Sequence, residues 1–177
     1  AAAAVGGEVN INKIDSSHLE SLISLFKEIG IKINIKNNSI LVESNGIYKS
    51  VDIETSEYPG FPTDLQAQWM SMMIKANGNS SIKENIYLDR FTHIPELLRM
   101  GADIKLKHET AYIRGVREIF AAPVMCTDIR ASAALVISAL CSEGKTEISR
   151  IYHIDRGYEK IEKKFSLLGA NIERLTS

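Results

Sequence analysis

Apolar residues recur every three or four positions in several segments of the chain, which is the spacing of one face of a helix. In the first such segment the apolar positions are Leu19, Leu22, Ile23, Phe26 and Ile29. Ser16 and Ser17 precede this segment. Serine favours the start of a helix because its hydroxyl can accept a hydrogen bond from a free backbone amide. Residues 31–35 alternate between apolar and polar, and an Asn-Asn turn connects them to residues 40–42. This pattern predicts a β-hairpin after the helix.

The same order of helix and strand recurs further along the chain. In the middle, Pro95 lies early in a predicted helix, where a missing amide costs little. Residues 103–107 and 111–114 then form a second predicted hairpin. Residues 131–142 are almost entirely apolar, which predicts a helix buried on most sides. The elements predicted after it are a strand from 146 towards 152, a helix over 158–168 and a strand at 171–175.

Glycines divide the chain into repeats. Those that end the amphipathic helices are spaced by about 70 residues, a period long enough for a mixed α/β unit. They are Gly30, Gly101 and Gly169. We therefore predict one α/β (α+β) domain with helices inside, sheets outside and pseudo-threefold symmetry. Its units are expected at about 1–57, 58–122 and 123–177. The alanines and valine of residues 1–5 are interpreted as the end of a helix whose beginning is missing.

Two short motifs occur once in each of the last two units. Residues 63–67 (TDLQA) recur as 127–131 (TDIRA), and residues 86–90 (IYLDR) recur within 151–156 (IYHIDR). A duplicated supersecondary unit explains this spacing, and it places acids and arginines at equivalent corners of the fold. Such a cluster suits an anionic ligand. We expect five of these side chains to face one end of the domain: Asp64, Asp128, Arg90, Arg130 and Arg156.

Each of these residues also has a structural explanation. Asp64 and Asp128 precede helices, and an aspartate there caps the helix by accepting a backbone amide. Arg90 and Arg156 are expected at the start of the next helix, where the partial positive charge disfavours a cation unless an anion is near. The aspartate before each arginine could be that anion. A bound phosphate or carboxylate is the alternative, since helix N-termini and guanidinium groups both bind such anions.

Composition narrows the possible functions. The 177 residues carry a net charge of −1, which indicates neither a nucleic-acid nor a membrane partner, and no apolar run approaches the length of a membrane span. Cys126 and Cys141 lack a CxxC spacing and are expected to be reduced thiols in a cytoplasmic protein. The four histidines show no paired-ligand spacing, so we predict no metal site and no cofactor.

Four stretches of the chain resemble the UDP-N-acetylglucosamine enolpyruvyl transferases. They are residues 58–68 (YPGFPTDLQAQ), 90–102 (RFTHIPELLRMGA), 127–133 (TDIRASA) and 150–159 (RIYHIDRGYE). The resemblance implies two domains, each an inside-out α/β barrel of three units, with the active site between them. It implies that this chain is a fragment, most of the C-terminal-side domain, and that the other domain and an N-terminal segment are missing.

The resemblance also implies a reaction. The family transfers the enolpyruvyl group of phosphoenolpyruvate to UDP-N-acetylglucosamine and releases phosphate, the first committed step of bacterial peptidoglycan synthesis. Asp64 matches the carboxylate that contacts the sugar hydroxyl and is the expected general base, and Asp128 matches a second catalytic carboxylate whose role is open. Ile86 matches a position that lines the UDP-sugar site.

The arginines match the family's anion-binding groups. Arg130 and Arg156 match arginines that bind phosphoenolpyruvate, and Arg90 matches a further arginine at the cleft. They would stabilise charge that develops in the transition state. The family's catalytic cysteine belongs to the missing portion, and neither Cys126 nor Cys141 occupies its position. We therefore expect this chain alone to show little or no turnover.

Three other interpretations remain open. The chain could be a non-catalytic repeat module that binds a nucleotide sugar or a phosphate, which would leave the match at Asp64 unexplained. It could belong to the related shikimate-pathway enzyme, which would accept shikimate 3-phosphate instead of the UDP-sugar. It could be a purely structural repeat, in which case replacing Arg156 would not change ligand binding.

Overall fold

The computed structural model describes residues 1–175. In this part of the chain the segments with apolar patterns form three sheets that surround internal helices. The helices are α1 (Ala2–Val5), α2 (Glu20–Glu28), α3 (Gln66–Met73), α4 (Ile94–Arg99), α5 (Ile129–Leu140), α6 (Tyr152–Asp155) and α7 (Ile161–Leu167). The strands are β1 (Gly7–Asn12), β2 (Lys32–Lys36), β3 (Ser39–Ser44), β4 (Ile53–Glu54), β5 (Asn79–Lys83), β6 (Asp103–Lys107), β7 (Thr110–Arg114), β8 (Pro123–Met125) and β9 (Glu147–Ser149).

The three sheets follow the repeat. The first has the order β1-β3-β2 and is antiparallel, and its β2–β3 pair is the hairpin that the alternation at 31–42 predicts. The second has the order β4-β5-β7-β6, in which β4 and β5 are parallel and the hairpin β6–β7 is antiparallel. The third contains only the parallel pair β8 and β9.

The core lies where α3 and α5 pack against each other. The Ser71 hydroxyl of α3 donates a 2.8 Å hydrogen bond to the Ala134 carbonyl of α5, so the two helices approach closely. Trp69 is 2% exposed and its ring lies 5.5 Å from that of Phe61 and 5.7 Å from that of Phe26. Apolar side chains from the inner faces of the sheets complete this core. The predicted fold class, with internal helices and outer sheets, is confirmed.

Several predicted boundaries are wrong in detail. A 3-10 turn, Ser16–Leu19, precedes α2, and its cap is the Asp15 carboxylate, which accepts the Ser17 amide at 3.0 Å. Ser16 and Ser17 are therefore not the capping residues. The strand expected from 146 is only β9, and the helix expected over 158–168 is shortened to α7, with the four-residue α6 before it.

The strand predicted at residues 171–175 is not formed. These residues have no regular secondary structure, because the third sheet ends at β9 and offers them no hairpin partner like β7. Arg174 instead reaches back to Asp155. The last two positions of that unit, 176 and 177, lie outside the described residues. Within residues 1–175 no helix is both long and apolar enough to cross a membrane.

Candidate active site

The parallel strand pairs explain why the motifs meet. Carboxyl ends of parallel strands lie at the same edge of a sheet, and ligands of α/β proteins commonly bind beyond such edges. In the second sheet, β4 leads into the segment with Thr63 and Asp64, and β5 leads to Arg90. In the third sheet, β8 leads to Asp128, and β9 leads to Arg156. Contacts between these segments bring the two edges together.

Asp64 joins the two units. Its Oδ1 accepts a 3.0 Å hydrogen bond from Nε of Arg130, and it lies 2.8 Å from Nη2 of Arg130 and 3.6 Å from Nη2 of Arg90 as ion-pair contacts. Asp64 itself is exposed, whereas Arg90 is nearly buried. The Nε of Arg90 donates to the Thr63 hydroxyl at 3.2 Å, and its guanidinium lies 4.8 Å from the centre of the Tyr87 ring. One carboxylate is thus held between two arginines from different repeats.

Asp128 has a different role from Asp64 although their motifs match. It caps α5: its Oδ1 accepts the amides of Arg130 at 2.8 Å and Ala131 at 3.0 Å. The Thr92 hydroxyl donates to the other oxygen at 3.0 Å. Burial opposes ionisation here, but the two amides and the Thr92 hydroxyl outweigh it and hold the pKa of Asp128 below its ordinary value. Asp128 therefore stays charged with most of its acceptor sites occupied.

Asp64 is not a cap because it lies inside a 3-10 turn, Thr63–Leu65, that precedes α3. The residues at the cap positions of this turn and of α3 are Pro62 and Leu65, and neither gives a side-chain cap bond. Of the two capping interpretations, the one for Asp128 is confirmed and the one for Asp64 is wrong. This difference leaves the Asp64 carboxylate available to other partners.

An open cavity of about 390 Å³ lies beside this cluster, within the range of small-molecule sites. Its lining residues are Thr127, Asp128, Ile129, Arg130, His153 and Arg156. The segment with Arg156 packs closely on α5, and a Cβ on Gly157 would lie 2.3 Å from Cδ1 of Ile129. Because Gly157 has no side chain, the segment with Arg156 can lie close to the N-terminal end of α5.

Arg156 does not pair with the aspartate that precedes it. Asp155 instead accepts 2.6 Å and 3.0 Å hydrogen bonds from Arg174, which hold the pKa of Asp155 below its ordinary value. No carboxylate among residues 1–175 lies within ion-pair distance of Arg156. The hypothesis that the neighbouring aspartate neutralises each arginine is wrong, since Arg90 also finds its anion elsewhere, on Asp64.

The structure adds residues that the sequence patterns did not indicate. Thr92 contacts both Asp128 and the Thr127 hydroxyl, the latter at 3.1 Å, and Tyr87 packs on Arg90. His93 is fully buried, and burial lowers its pKa to about 4, so it is neutral at pH 7. The sequence offered one signal for Thr92, which lies two positions after the arginine of the repeated motif. No sequence pattern indicated that His93, which lies in a polar motif, would be buried.

The remaining sequence candidates lie outside the cavity. Ile86 is 45% exposed on the loop that precedes Arg90, so it flanks the Asp64 side of the cluster. Cys126 is buried and Cys141 is half-buried, and burial raises the pKa of both thiols. Within residues 1–175 no three histidine, cysteine, aspartate or glutamate side chains are placed to hold a metal ion.

Comparison with known proteins shows the family of the chain. The sequence model of the family described as EPSP synthase (3-phosphoshikimate 1-carboxyvinyltransferase) matches residues 1–165. The chain belongs to this family. Among curated relatives, the UDP-N-acetylglucosamine 1-carboxyvinyltransferase of Geotalea daltonii is 50% identical over 175 residues, which are 99% of this chain and 42% of the relative. That of Thermodesulfovibrio yellowstonii is 50% identical over 174 residues, 98% of this chain and 42% of the relative.

Solved structures of two other proteins share the fold. The enolpyruvyl transferase NikO from Streptomyces tendae superimposes with a TM-score of 0.82 at 23% identity, over 90% of this chain and 37% of that one. EPSP synthase from Acinetobacter baumannii gives a TM-score of 0.62 at 16% identity, over 87% and 38%. The resemblance inferred from the motifs is therefore confirmed, and the chain spans less than half the length of the relatives it matches.

Proposed function

We propose that this chain supplies one side of the active site of an enzyme that transfers the enolpyruvyl group of phosphoenolpyruvate to UDP-N-acetylglucosamine. The observation that carries the proposal is the Asp64 carboxylate held by Arg90 and Arg130, beside a cavity that Arg156 also lines. A base next to several guanidinium groups suits a hydroxyl that must attack a doubly anionic substrate. The 50% identical relatives of that name support the choice of acceptor.

The proposed chemistry assigns a role to each group. The sugar hydroxyl gives its proton to Asp64 while its oxygen bonds to C2 of phosphoenolpyruvate, and an acid from the other domain gives a proton to C3. The conjugate base of that acid then takes a proton back from C3, the bond from C2 to the phosphate oxygen breaks, the double bond is restored, and Asp64 passes its proton to the departing phosphate. Arg130 and Arg156 bind the carboxylate and phosphate, and a guanidinium fork matches both anions. Because these charges are fixed before the reaction, they stabilise the charge that develops on the substrate.

The hydrogen bonds that Asp128 already accepts favour a catalytic role other than that of a base. Its oxygens already accept two amides and the Thr92 hydroxyl, so its lone pairs are less available than those of the exposed Asp64. We assign it to stabilise positive charge near the reacting carbon and to fix the backbone of Arg130. Ile86, on the loop beside Arg90, is assigned to the UDP-sugar side.

The domain assignment follows from the same proposal. Residues 1–177 are most of the second domain of the enzyme, in units of about 1–57, 58–122 and 123–177. The missing domain of the same enzyme is then the partner that closes the cleft.

Two free thiols support a cytoplasmic location, where peptidoglycan synthesis would begin.

The test is phosphate release from phosphoenolpyruvate by the complete protein that contains this chain. We expect release with UDP-N-acetylglucosamine and none with shikimate 3-phosphate. Asp64→Asn and Arg156→Gln should each lower kcat/KM by at least about 100-fold, since each removes a charged group from the reacting centre. Arg114→Gln is the matched control, because Arg114 is an exposed arginine that pairs with Asp103 outside the site.

Other outcomes would assign the protein differently. Release with shikimate 3-phosphate alone would move it to the shikimate-pathway branch of the family. Binding of UDP-N-acetylglucosamine without turnover, unchanged in Asp64→Asn, would make it a binding module. The chain tested by itself should release little phosphate and should gain activity when mixed with the missing portion, and turnover by the chain alone would contradict the proposed division of the site.

A further inference from the structure

A buried glutamate lies directly behind the candidate site and takes no part in the mechanism proposed above. Glu84 follows β5 and is fully buried, as is Thr55, which follows β4. The Thr55 hydroxyl donates a 2.7 Å hydrogen bond to Oε1 of Glu84. Taking a carboxylate out of water is costly unless donors satisfy it. Glu84 has no ion pair among residues 1–175, so its burial needs an explanation.

Glu84 holds the backbone of the loop that follows it. The same Oε1 accepts the amides of Ile86 and Tyr87, each at 3.0 Å. Thr55 completes the arrangement, because its hydroxyl accepts the Asn85 amide at 2.9 Å and its carbonyl accepts the Asn85 side chain at 3.1 Å. Three consecutive amides are thus fixed by one buried pair of side chains.

Two side chains of that loop, Ile86 and Tyr87, expose apolar surface beside the site. Ile86 is 45% exposed and Tyr87 is 51% exposed, although both backbones are tied to the buried Glu84. The Tyr87 ring lies 4.8 Å from the guanidinium of Arg90, which itself lies 3.6 Å from Asp64. An apolar wall with a few placed polar groups is the usual lining of a small-molecule site.

The third unit lacks this arrangement and serves as an internal control. There the Cys126 amide bonds to the Ser149 carbonyl at 3.1 Å, just as the Thr55 amide bonds to the Lys83 carbonyl at 2.9 Å. Cys126 therefore takes the place of Thr55, and Arg150, exposed to solvent, takes the place of Glu84. The repeat forms its parallel strand pair without a buried carboxylate, so folding of the unit does not require one.

We infer that Thr55 and Glu84 are positioning residues that present Ile86 and Tyr87 to the nucleotide-sugar substrate. They act through the backbone of residues 85–87, and neither side chain reaches the cavity surface. This inference rests on the proposed function, since it names the substrate whose binding the loop would control. Phosphoenolpyruvate, bound on the side of Arg130 and Arg156, should depend on the pair much less.

Thr55 offers the sharper substitution. Glu84→Gln would place an amide nitrogen at the buried Oε2 position, which has no hydrogen-bond partner among residues 1–175, and folding could suffer. Thr55→Val keeps the shape and removes the hydroxyl, whereas Thr55→Ser keeps the hydroxyl and removes a methyl group. Asp52→Asn is a further control, because Asp52 also accepts an amide, that of Ser81, but earlier along the same two strands.

The experiment uses the complete protein that contains this chain and measures phosphate release at varied concentrations of each substrate. In Thr55→Val we expect KM for UDP-N-acetylglucosamine to rise about tenfold, the factor that matches one typical hydrogen bond. KM for phosphoenolpyruvate and kcat should change less than about twofold, and so should all three parameters in Thr55→Ser and Asp52→Asn. Amide hydrogen exchange over residues 85–87 should quicken in Thr55→Val alone.

Each contrary result has a distinct meaning. Equal KM values for UDP-N-acetylglucosamine in Thr55→Val and Thr55→Ser, with an active wild type, would overturn the inference. So would a parallel rise of both KM values, or a fall in kcat alone, because a general loss of structure would explain either. A wild-type protein that releases no phosphate with UDP-N-acetylglucosamine would instead refute the proposed function, and this inference with it.

Discussion

Asp64 and Asp128 occupy the same place in a repeated motif, yet replacing each with alanine should affect stability differently. Asp128 accepts two backbone amides at the start of α5. Loss of such a cap costs about 1 kcal/mol, in a range of about 0.5–2. Loss of a negative charge at a helix N-terminus adds about 0.3–1 kcal/mol. We therefore expect Asp128→Ala to lower the free energy of unfolding by about 1–2 kcal/mol.

Asp64→Ala should be close to neutral. Asp64 caps no helix, and its pairs with Arg90 and Arg130 are on an exposed carboxylate. Exposed ion pairs contribute about 0.2–1 kcal/mol. Asp128→Asn is the matched control, because asparagine caps a helix about as well as aspartate and should keep most of the stability.

Urea unfolding followed by circular dichroism measures the difference. With a slope of about 2 kcal/mol per molar urea, Asp128→Ala should shift the midpoint down by roughly 0.5–1 M, with an unchanged slope. Because the folded pKa of Asp128 is lowered, its charge stabilises the protein above the unfolded pKa, and this contribution is lost as pH falls through the folded pKa. Equal shifts for Asp64→Ala and Asp128→Ala would refute the assignment of different roles.

Three further changes test the core and the edge of the site. Trp69→Ala should cost about 3–5 kcal/mol in urea unfolding, since Trp69 is buried at the centre of the core. Burial raises the pKa of the Cys126 thiol, so a chromogenic thiol reagent at pH 7 should modify it only after unfolding. Arg174→Ala removes both hydrogen bonds to Asp155, so NMR titration should show the pKa of Asp155 rising towards its ordinary value. The stability from that pair is present above the unfolded pKa of Asp155 and is lost as pH falls through its folded pKa.

Much of the fold could be predicted because it depends on local periodicity. The hairpin β2–β3 follows from strict alternation, and the helix α5 follows from an unbroken apolar run. The repeat also indicated that acids and arginines would gather at one end, since equivalent turns of equivalent units share an edge. Arg90 and Arg130 do both contact Asp64 there. The catalytic roles of these residues stay predictions.

The failures have a common physical cause, which is that a partner distant in sequence decides the outcome. Residues 171–175 alternate like a strand, but a strand needs a neighbour, and the third sheet provides none. Asp155 pairs with Arg174, not with the arginine beside it. The local motif could not reveal that Asp64 would lie inside a 3-10 turn before α3. Burial of Glu84 likewise depends on Thr55, 29 positions earlier.

The bond between Asp64 and Arg130 has a consequence for how an anion would enter. The Nε proton of Arg130 is already donated to Asp64, and Nη2 of Arg130 lies 2.8 Å from the same carboxylate oxygen. An arriving phosphate or carboxylate therefore competes with an internal counterion, and binding becomes an exchange of one anion for another. Arg90, whose Nε donates to the Thr63 hydroxyl, would keep a cation near Asp64 if Arg130 moved towards a substrate. Asp64 thus acts as the counterion of Arg130, and a substrate anion that binds Arg130 would have to displace it.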